Sequence, residues 1–97
     1  MLHIINKSPH SHHCLDECLR VCSASDAIIL IEDGVYAALN ASDAAARLLA
    51  KTAAIHVLQP DAAARGIAHR IAAGIAAVDY AGFVQLCCEH TPIQSWY

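Results

Sequence analysis

The chain has 97 residues, 57% of them hydrophobic, and a formal net charge of −3. This length suits one domain, near the small end of those that fold alone, and we predict a single domain over residues 1–97. The hydrophobic fraction exceeds the ~45–50% usual for soluble domains, which indicates apolar surface beyond one small core and hence a protein partner. The acidic balance argues against direct nucleic-acid binding, which needs a basic face.

The location of the chain is predicted from what its sequence lacks. No apolar run approaches the ~20 residues of a membrane span, and the start has no cationic segment or cleavage site of a secretion signal. We therefore expect no membrane contact and a cytoplasmic location. The five cysteines are odd in number and include no C-x-x-C pair, so we expect free thiols in a reducing compartment.

The predicted elements alternate between strands and helices. Strands are predicted over residues 2–6, 27–31, 54–58 and 75–78, with a tail over 93–97 that suits an edge strand. Helices are predicted over about 13–23, 43–50, 59–65 and 80–89. The run 27–31 is apolar without interruption, as in a parallel strand covered on both faces. We predict an α/β fold, a single three-layer domain with a mainly parallel four- to five-stranded sheet and helices on both faces.

Local signals mark several of the predicted helix ends. Ser42 or Asp43 is the natural N-cap of the second helix, and Asp79 that of the last. The third helix has Pro60 near its first position and Gly66 just past its end, the usual asymmetry.

Glu32-Asp33-Gly34 follows the apolar strand, at the edge of an α/β sheet where ligands and partners gather. Two carboxylates can do acid–base chemistry, but no histidine is adjacent in the sequence. We interpret the segment as a solvated strand end where glycine permits a tight turn, and expect partner contact there rather than catalysis.

The cysteines of the first helix recur every four residues, at Cys14, Cys18 and Cys22. Cys18 and Cys22 suit small buried core positions. The alternative is a sulfur-carrying thiolate, which requires a helix N-terminus or a nearby cation. Cys14 lies closest to the helix start, and Cys18 lies mid-helix. Cys87 and Cys88 point about 100° apart on the last helix, so we expect one to pack and the other to face out.

A histidine-rich segment precedes the first helix. His10, His12, His13 and Cys14 are ligand types for zinc or copper. A structural zinc site needs four ligands in a closed geometry, and a hydrated loop explains the cluster as well. No P-loop, G-x-G-x-x-G or G-x-S-x-G is present, so nucleotide binding and serine hydrolysis have no support, and no cofactor is expected.

Several segments in order along the chain resemble the TusB/DsrH family. They are Met1-Leu2-His3 with Lys7-Ser8-Pro9, Glu32-Asp33-Gly34-Val35-Tyr36-Ala37-Ala38, Val57-Leu58 with Asp61 and Ala64-Arg65-Gly66, Val78-Asp79-Tyr80 with Phe83-Val84, and Trp96. Each motif alone is weak, and their conjunction over nearly the whole chain is specific.

The resemblance implies a DsrEFH-like α/β domain and a heterohexamer with two copies each of three related subunits. The partners would be sibling subunits of the TusC/DsrF and TusD/DsrE types, and sulfur-carrier proteins reached through the complex. Such an assembly relays persulfide sulfur. In the Tus branch the sulfur reaches the tRNA wobble position as 2-thiouridine, and in the Dsr branch it serves sulfur oxidation.

The resemblance also implies roles for particular residues. The sulfur-accepting cysteine of such complexes belongs to a sibling subunit, and this chain has no cysteine between Ser23 and Leu86. The chain would therefore be a non-catalytic partner. Leu15-Asp16-Glu17-Cys18-Leu19 resembles the DsrH-type first helix, which leaves Cys18 open as an accessory thiol. Interface positions are expected at the predicted turn and at aromatic anchors, namely Asp33, Gly34, Val35, Tyr36, Phe83 and Trp96.

Overall fold

The computed structural model of the protein describes residues 1–52 and 54–97. Five strands are present in this part of the chain: β1 (Leu2–Ile5), β2 (Ala27–Leu30), β3 (Ile55–Leu58), β4 (Ala76–Val78) and β5 (Ile93–Trp96). Four α-helices connect them: α1 (Cys14–Val21), α2 (Asp43–Lys51), α3 (Gln59–Ala64) and α4 (Tyr80–Glu89). Two 3₁₀ segments, Glu32–Ala38 and Ala68–Arg70, complete the described elements.

The five strands form one parallel sheet in the order β4-β3-β2-β1-β5. The chain steps outward in one direction from β1 to β4, then returns to the opposite edge and adds β5 beside β1. The predicted α/β fold with a mainly parallel sheet is confirmed. The tail does form the edge strand, with Ile93 paired to Leu2 and Trp96 to Ile5.

The two faces of the sheet are covered unequally. The helices α1, α2 and α3 and the 3₁₀ segment Glu32–Ala38 all pack on one face, because successive right-handed crossovers in one direction place their helices on the same side. The return crossover reverses direction, and its helix α4 packs on the other face. Three helices therefore cover one face, whereas a single helix covers the other.

The local signals of the sequence agree with the observed ends. All four residues of β2 are buried, as an uninterrupted apolar strand requires. The Ser42 hydroxyl accepts the backbone N–H of Ala45 at 3.1 Å, and the Asp79 carboxylate accepts that of Gly82 at 2.8 Å. The two predicted N-caps are confirmed, with Ser42 rather than Asp43 serving α2.

Candidate functional site

The carboxyl end of β2 continues into the 3₁₀ segment Glu32–Ala38, which α3 holds in place. The backbone N–H of Glu32 donates to the Asp61 carboxylate at 2.6 Å. Arg65 Nε donates to Asp33 Oδ1 at 2.9 Å, and its Nη1 donates to the Asp61 carbonyl at 3.2 Å. These hydrogen bonds join the 3₁₀ segment to the region of α3 through two residue pairs, one 29 and the other 32 positions apart in the sequence.

The glycine of this segment is required for a reason that differs from the predicted one. Glu32, not Gly34, has the left-handed backbone conformation, with φ of 49°. Gly34 is buried, and a Cβ at this position would lie 2.2 Å from the carbonyl oxygen of Ile5. Close approach of two backbones, rather than freedom of the turn, fixes the glycine.

The expected interface positions differ in their accessibility. The Asp33 side chain is 61% exposed, and Tyr36, Phe83 and Trp96 are half-buried. Gly34 and Val35 are buried within the chain. Gly34 and Val35 are therefore less accessible to a partner than Asp33, and partner contact at the six positions stays a prediction.

The thiols of α1 are enclosed in the core. Cys14, Cys18 and Cys22 are all buried, and Cys18 is 0% exposed. Burial, with smaller contributions from Cys22 and Asp26, raises the pKa of the Cys18 thiol to about 12. At neutral pH this group is a protonated core thiol, and a thiol rather than a thiolate is a poor nucleophile.

The cysteines of α4 are the accessible ones. Cys87 is half-buried and packs against the core, and Cys88 is exposed, which confirms that one packs and the other faces out. Cys88 lies in the last turn of α4 next to Glu89.

The histidine-rich segment is not assembled as a ligand set. His10, His12 and His13 are exposed, whereas Cys14 is buried. His12 Nδ1 lies 2.8 Å from the Ser11 hydroxyl, and His13 Nδ1 lies 3.7 Å from Asp16. Over residues 1–52 and 54–97, the one group of three potential ligands that converges is His3, Cys22 and Asp26.

His3 is the centre of a buried polar network that joins the two ends of the described chain. Trp96 Nε1 donates to His3 Nδ1 at 3.2 Å, and the two rings stack with centroids 6.2 Å apart. Because an indole N–H only donates, Nδ1 accepts and the proton is on Nε2. That proton is donated to Asp26 Oδ2 at 2.9 Å.

Asp26 receives further donors in this network. The backbone N–H of Ser23 donates to Oδ2 at 3.1 Å, and the Met1 ammonium lies 3.3 Å from Oδ1. The hydrogen bond from His3, then that from Ser23, hold the pKa of the Asp26 carboxyl well below its usual range. The sequence motifs include His3 and Trp96, and Trp96 was expected at an interface, but no local pattern pairs two residues that lie 93 positions apart.

One stripe of the solvent side of α4 is apolar, beside the exposed Gln85 and Glu89. Tyr80, Val84 and Cys88 recur every four residues and are exposed. Ile93 of β5, whose partner Leu2 packs on the α4 face, is exposed as well. We call Tyr80, Val84, Cys88 and Ile93 the α4 surface. An exposed apolar patch of this kind is typical of a surface that another protein covers.

The sheet beside α4 is also incompletely covered. Ile4 and Ile31 on this face remain half-buried. His56, paired with Ile29 and so on the same face, has a buried Nδ1 with no hydrogen-bond partner among the described residues. Parallel sheets are stable when both faces are covered. The α4 side is thus the incomplete side of the molecule.

Comparison with known proteins decides the family. The family model described as DsrH-like protein matches residues 7–93. The chain belongs to the DsrH-like family. Its relatives include Protein TusB of Pectobacterium parmentieri, 44% identical over 96 residues that cover 99% of this chain and 100% of the relative. Protein TusB of Yersinia pestis (strain Pestoides F) is 36% identical over 97 residues, with the same coverage of both chains.

A solved structure shows the same fold. The ychN protein from E. coli superposes with a TM-score of 0.78 over 98% of this chain and 97% of that one, at 15% sequence identity. This likeness concerns the fold of the DsrH-like chain only. No helix within residues 1–52 and 54–97 combines the length and the hydropathy that a membrane-spanning helix requires.

Proposed function

We propose that this chain is the non-catalytic structural subunit of a cytoplasmic sulfurtransferase complex that relays persulfide sulfur for the formation of 2-thiouridine at the tRNA wobble position. Membership of the DsrH-like family supports a role in sulfur relay, and relatives named Protein TusB favour the tRNA branch. Its partners would be two sibling subunits of the TusC/DsrF and TusD/DsrE types, which supply the sulfur-accepting thiol. The chain itself contributes contact area and shape.

One observation carries the non-catalytic part of the proposal: the thiol of Cys18 is fully enclosed. Cys18 is the cysteine that matches the DsrH-type first helix. A persulfide carrier must accept sulfur from one protein and pass it to another, so its thiol must be exposed and ionised. Cys18 meets neither condition, since its pKa of about 12 keeps it protonated.

The α4 surface supports the subunit role. Its exposed side chains lie on the side of the molecule where α4 is the single helix that covers the sheet. An aromatic anchor, Tyr80, stands beside aliphatic Val84, a composition that favours protein interfaces. A sibling subunit packed here would bury these side chains and could supply a donor to His56 Nδ1.

The alternative is a DsrH-type subunit of a sulfur-oxidation relay, with Cys18 as an accessory thiol. This role requires α1 to move away from the sheet and expose Cys18. The burial of Leu15, Cys18 and Cys22 against Ile5 and Ile28 opposes such an opening. The first proposal needs no conformational change in α1.

Co-expression with the two sibling subunits tests the proposal, with one matched pair of variants. Val84 on α4 and Val21 on α1 are 62% and 61% exposed, so a glutamate at either position is solvated in the free chain. We expect Val84→Glu to abolish co-purification with the siblings and Val21→Glu to leave it intact. Failure of the unmodified chain to co-purify with the siblings would contradict the proposal. Equal effects of Val84→Glu and Val21→Glu would show that the siblings do not bind the α4 surface.

A further inference from the structure

Three side chains with different ligand atoms converge at the amino end of β1 and β2. A ring nitrogen of His3, the Cys22 sulfur and an Asp26 carboxylate oxygen all lie within 4.8 Å of one another, and Nε2 is the His3 nitrogen that faces Asp26, 2.9 Å from Oδ2. His3 and Cys22 are 0% and 3% exposed, and the Asp26 side chain is 13% exposed. They come from β1, from the residue after α1 and from the residue before β2, so packed elements position each one.

The chemistry of the three groups suits one class of metal. Imidazole nitrogen, thiolate sulfur and carboxylate oxygen are the three ligand types that zinc uses, at about 2.0–2.3 Å. Tetrahedral ligands at such distances are about 3.3–3.7 Å apart, so closure of the cluster around an ion needs movements of about 1 Å or less. Three protein ligands leave a fourth position for water.

We propose that His3, Cys22 and Asp26 form a buried zinc site in this chain, which neither the family assignment nor the proposed sulfur relay assigns. The exposed His10–His13 segment is a separate feature and takes no part in this site. The partly exposed edge of Asp26 gives the ion its entry path.

Zinc at this site would compete with Trp96. The indole N–H of Trp96 donates to His3 Nδ1, which keeps the imidazole proton on Nε2. Ligation through Nε2 moves that proton to Nδ1, where it faces the Trp96 N–H, so two donors then point at each other. Metal binding and the Trp96–His3 hydrogen bond are therefore mutually exclusive, and Trp96 must move when the ion binds.

Because of this competition, replacing Trp96 should increase the affinity of the chain for metal. Trp96→Phe removes the opposing donor and keeps an aromatic ring against His3. The variant should bind the metal about two- to tenfold more tightly than the unmodified chain, as expected for release from one neutral hydrogen bond. If His3, Cys22 and Asp26 served only to stabilise the fold, Trp96→Phe would not be expected to increase the affinity for metal.

The test uses the full chain, reduced, with His10→Gln, His12→Gln and His13→Gln introduced to remove adventitious binding by the solvated segment. Cobalt(II) serves as the spectroscopic probe for zinc. We expect one ion per chain, a thiolate-to-cobalt charge-transfer band, loss of that band in Cys22→Ser, and displacement of cobalt by zinc. Emission of Trp96, the single tryptophan of the chain, should change with the same stoichiometry.

Three results would overturn the proposal: no stoichiometric binding by the chain with the loop histidines replaced, a charge-transfer band that persists in Cys22→Ser, or weaker binding by Trp96→Phe. If Cys22→Ser does not fold by circular dichroism, Trp96→Phe decides, because it leaves all three ligands in place. Cys88→Ser is the matched cysteine control and should leave the cobalt spectrum unchanged.

Discussion

Gly34 lies directly against the backbone of Ile5. The space between them is too small for a side chain, because a Cβ on Gly34 would lie 2.2 Å from the Ile5 carbonyl oxygen and 2.9 Å from its carbonyl carbon. The 3₁₀ segment Glu32–Ala38 can therefore reach across the carboxyl end of β1 only with glycine at this position. The exposed Asp33 depends on this contact for its placement beside Arg65.

Gly34→Ala should lower the free energy of unfolding by about 3 kcal/mol or more, since neither backbone can relax without shifting a strand. Urea denaturation followed by circular dichroism measures this change. Gly66→Ala is the control: Gly66 has φ of +71° but no atom within 4 Å of its Cβ position, so backbone strain alone should cost about 1–2 kcal/mol. A smaller loss in Gly34→Ala than in Gly66→Ala would contradict the close approach.

Asp61 of α3 and Arg65, which follows α3, should contribute unequally to holding the 3₁₀ segment in place. Asp61→Ala removes a charge-assisted hydrogen bond to the backbone of Glu32, and we expect a loss of about 1.5–3 kcal/mol in unfolding free energy. Arg65→Ala should cost less than about 1 kcal/mol, because its partner Asp33 is largely solvated. Denaturation of both variants in low salt checks the order, and a larger loss in Arg65→Ala would be inconsistent with it.

The Asp26 carboxyl should make stability depend on pH in acid. Its pKa in the folded chain lies below the unfolded value of about 3.9, because His3, the Ser23 N–H and the Met1 ammonium favour its charged form. The stabilisation is complete above that unfolded pKa and is lost as the pH falls through the folded one. Thermal unfolding measured between pH 6 and pH 2 should show this loss of stability as the pH falls.

Two variants separate Asp26 from the other carboxylates. Asp26→Asn should flatten the acid limb of the stability profile and lower stability at neutral pH. Asp43→Asn, at a largely exposed carboxylate, should leave the profile close to that of the unmodified chain. If the loss of stability in acid is the same in Asp26→Asn as in the unmodified chain, the hydrogen bonds around Asp26 do not lower its pKa in the folded state.

The five thiols should react in an order set by their burial. In the native chain at pH 8, iodoacetamide should modify Cys88 rapidly and Cys87 slowly. Cys14, Cys18 and Cys22 should react only after unfolding, since all three are buried and burial raises the pKa of Cys18 to about 12. Peptide mass spectrometry of timed samples measures the order, and fast labelling of Cys18 in the folded chain would refute its enclosure.

Local sequence signals predicted the elements whose formation depends on local physics. The apolar run of β2, the hydroxyl of Ser42 and the carboxylate of Asp79 each act within three or four residues. Helix α4 was also predicted with its observed bounds, because its cap and the following Thr91-Pro92 mark both ends.

Features built by distant residues were not predictable in the same way. The conformation of residues 32–38 depends on Asp61, Arg65 and the backbone of Ile5. No pattern in the sequence of residues 32–38 predicts these contacts. The network of His3, Asp26 and Trp96 spans the chain and requires strand order, which places β5 beside β1. Periodicity identifies elements, whereas this network depends on how they are arranged.

The central claim is that this chain supports a sulfur relay without carrying the sulfur. The most direct measurement incubates the isolated chain with a cysteine desulfurase and cysteine, then follows intact mass and transfer of sulfane sulfur to an acceptor protein, with Cys88→Ser included to remove surface adducts. The account predicts no sulfur on Cys18 and no transfer until the sibling subunits are added. Transfer by the isolated chain that disappears in Cys18→Ala would contradict it.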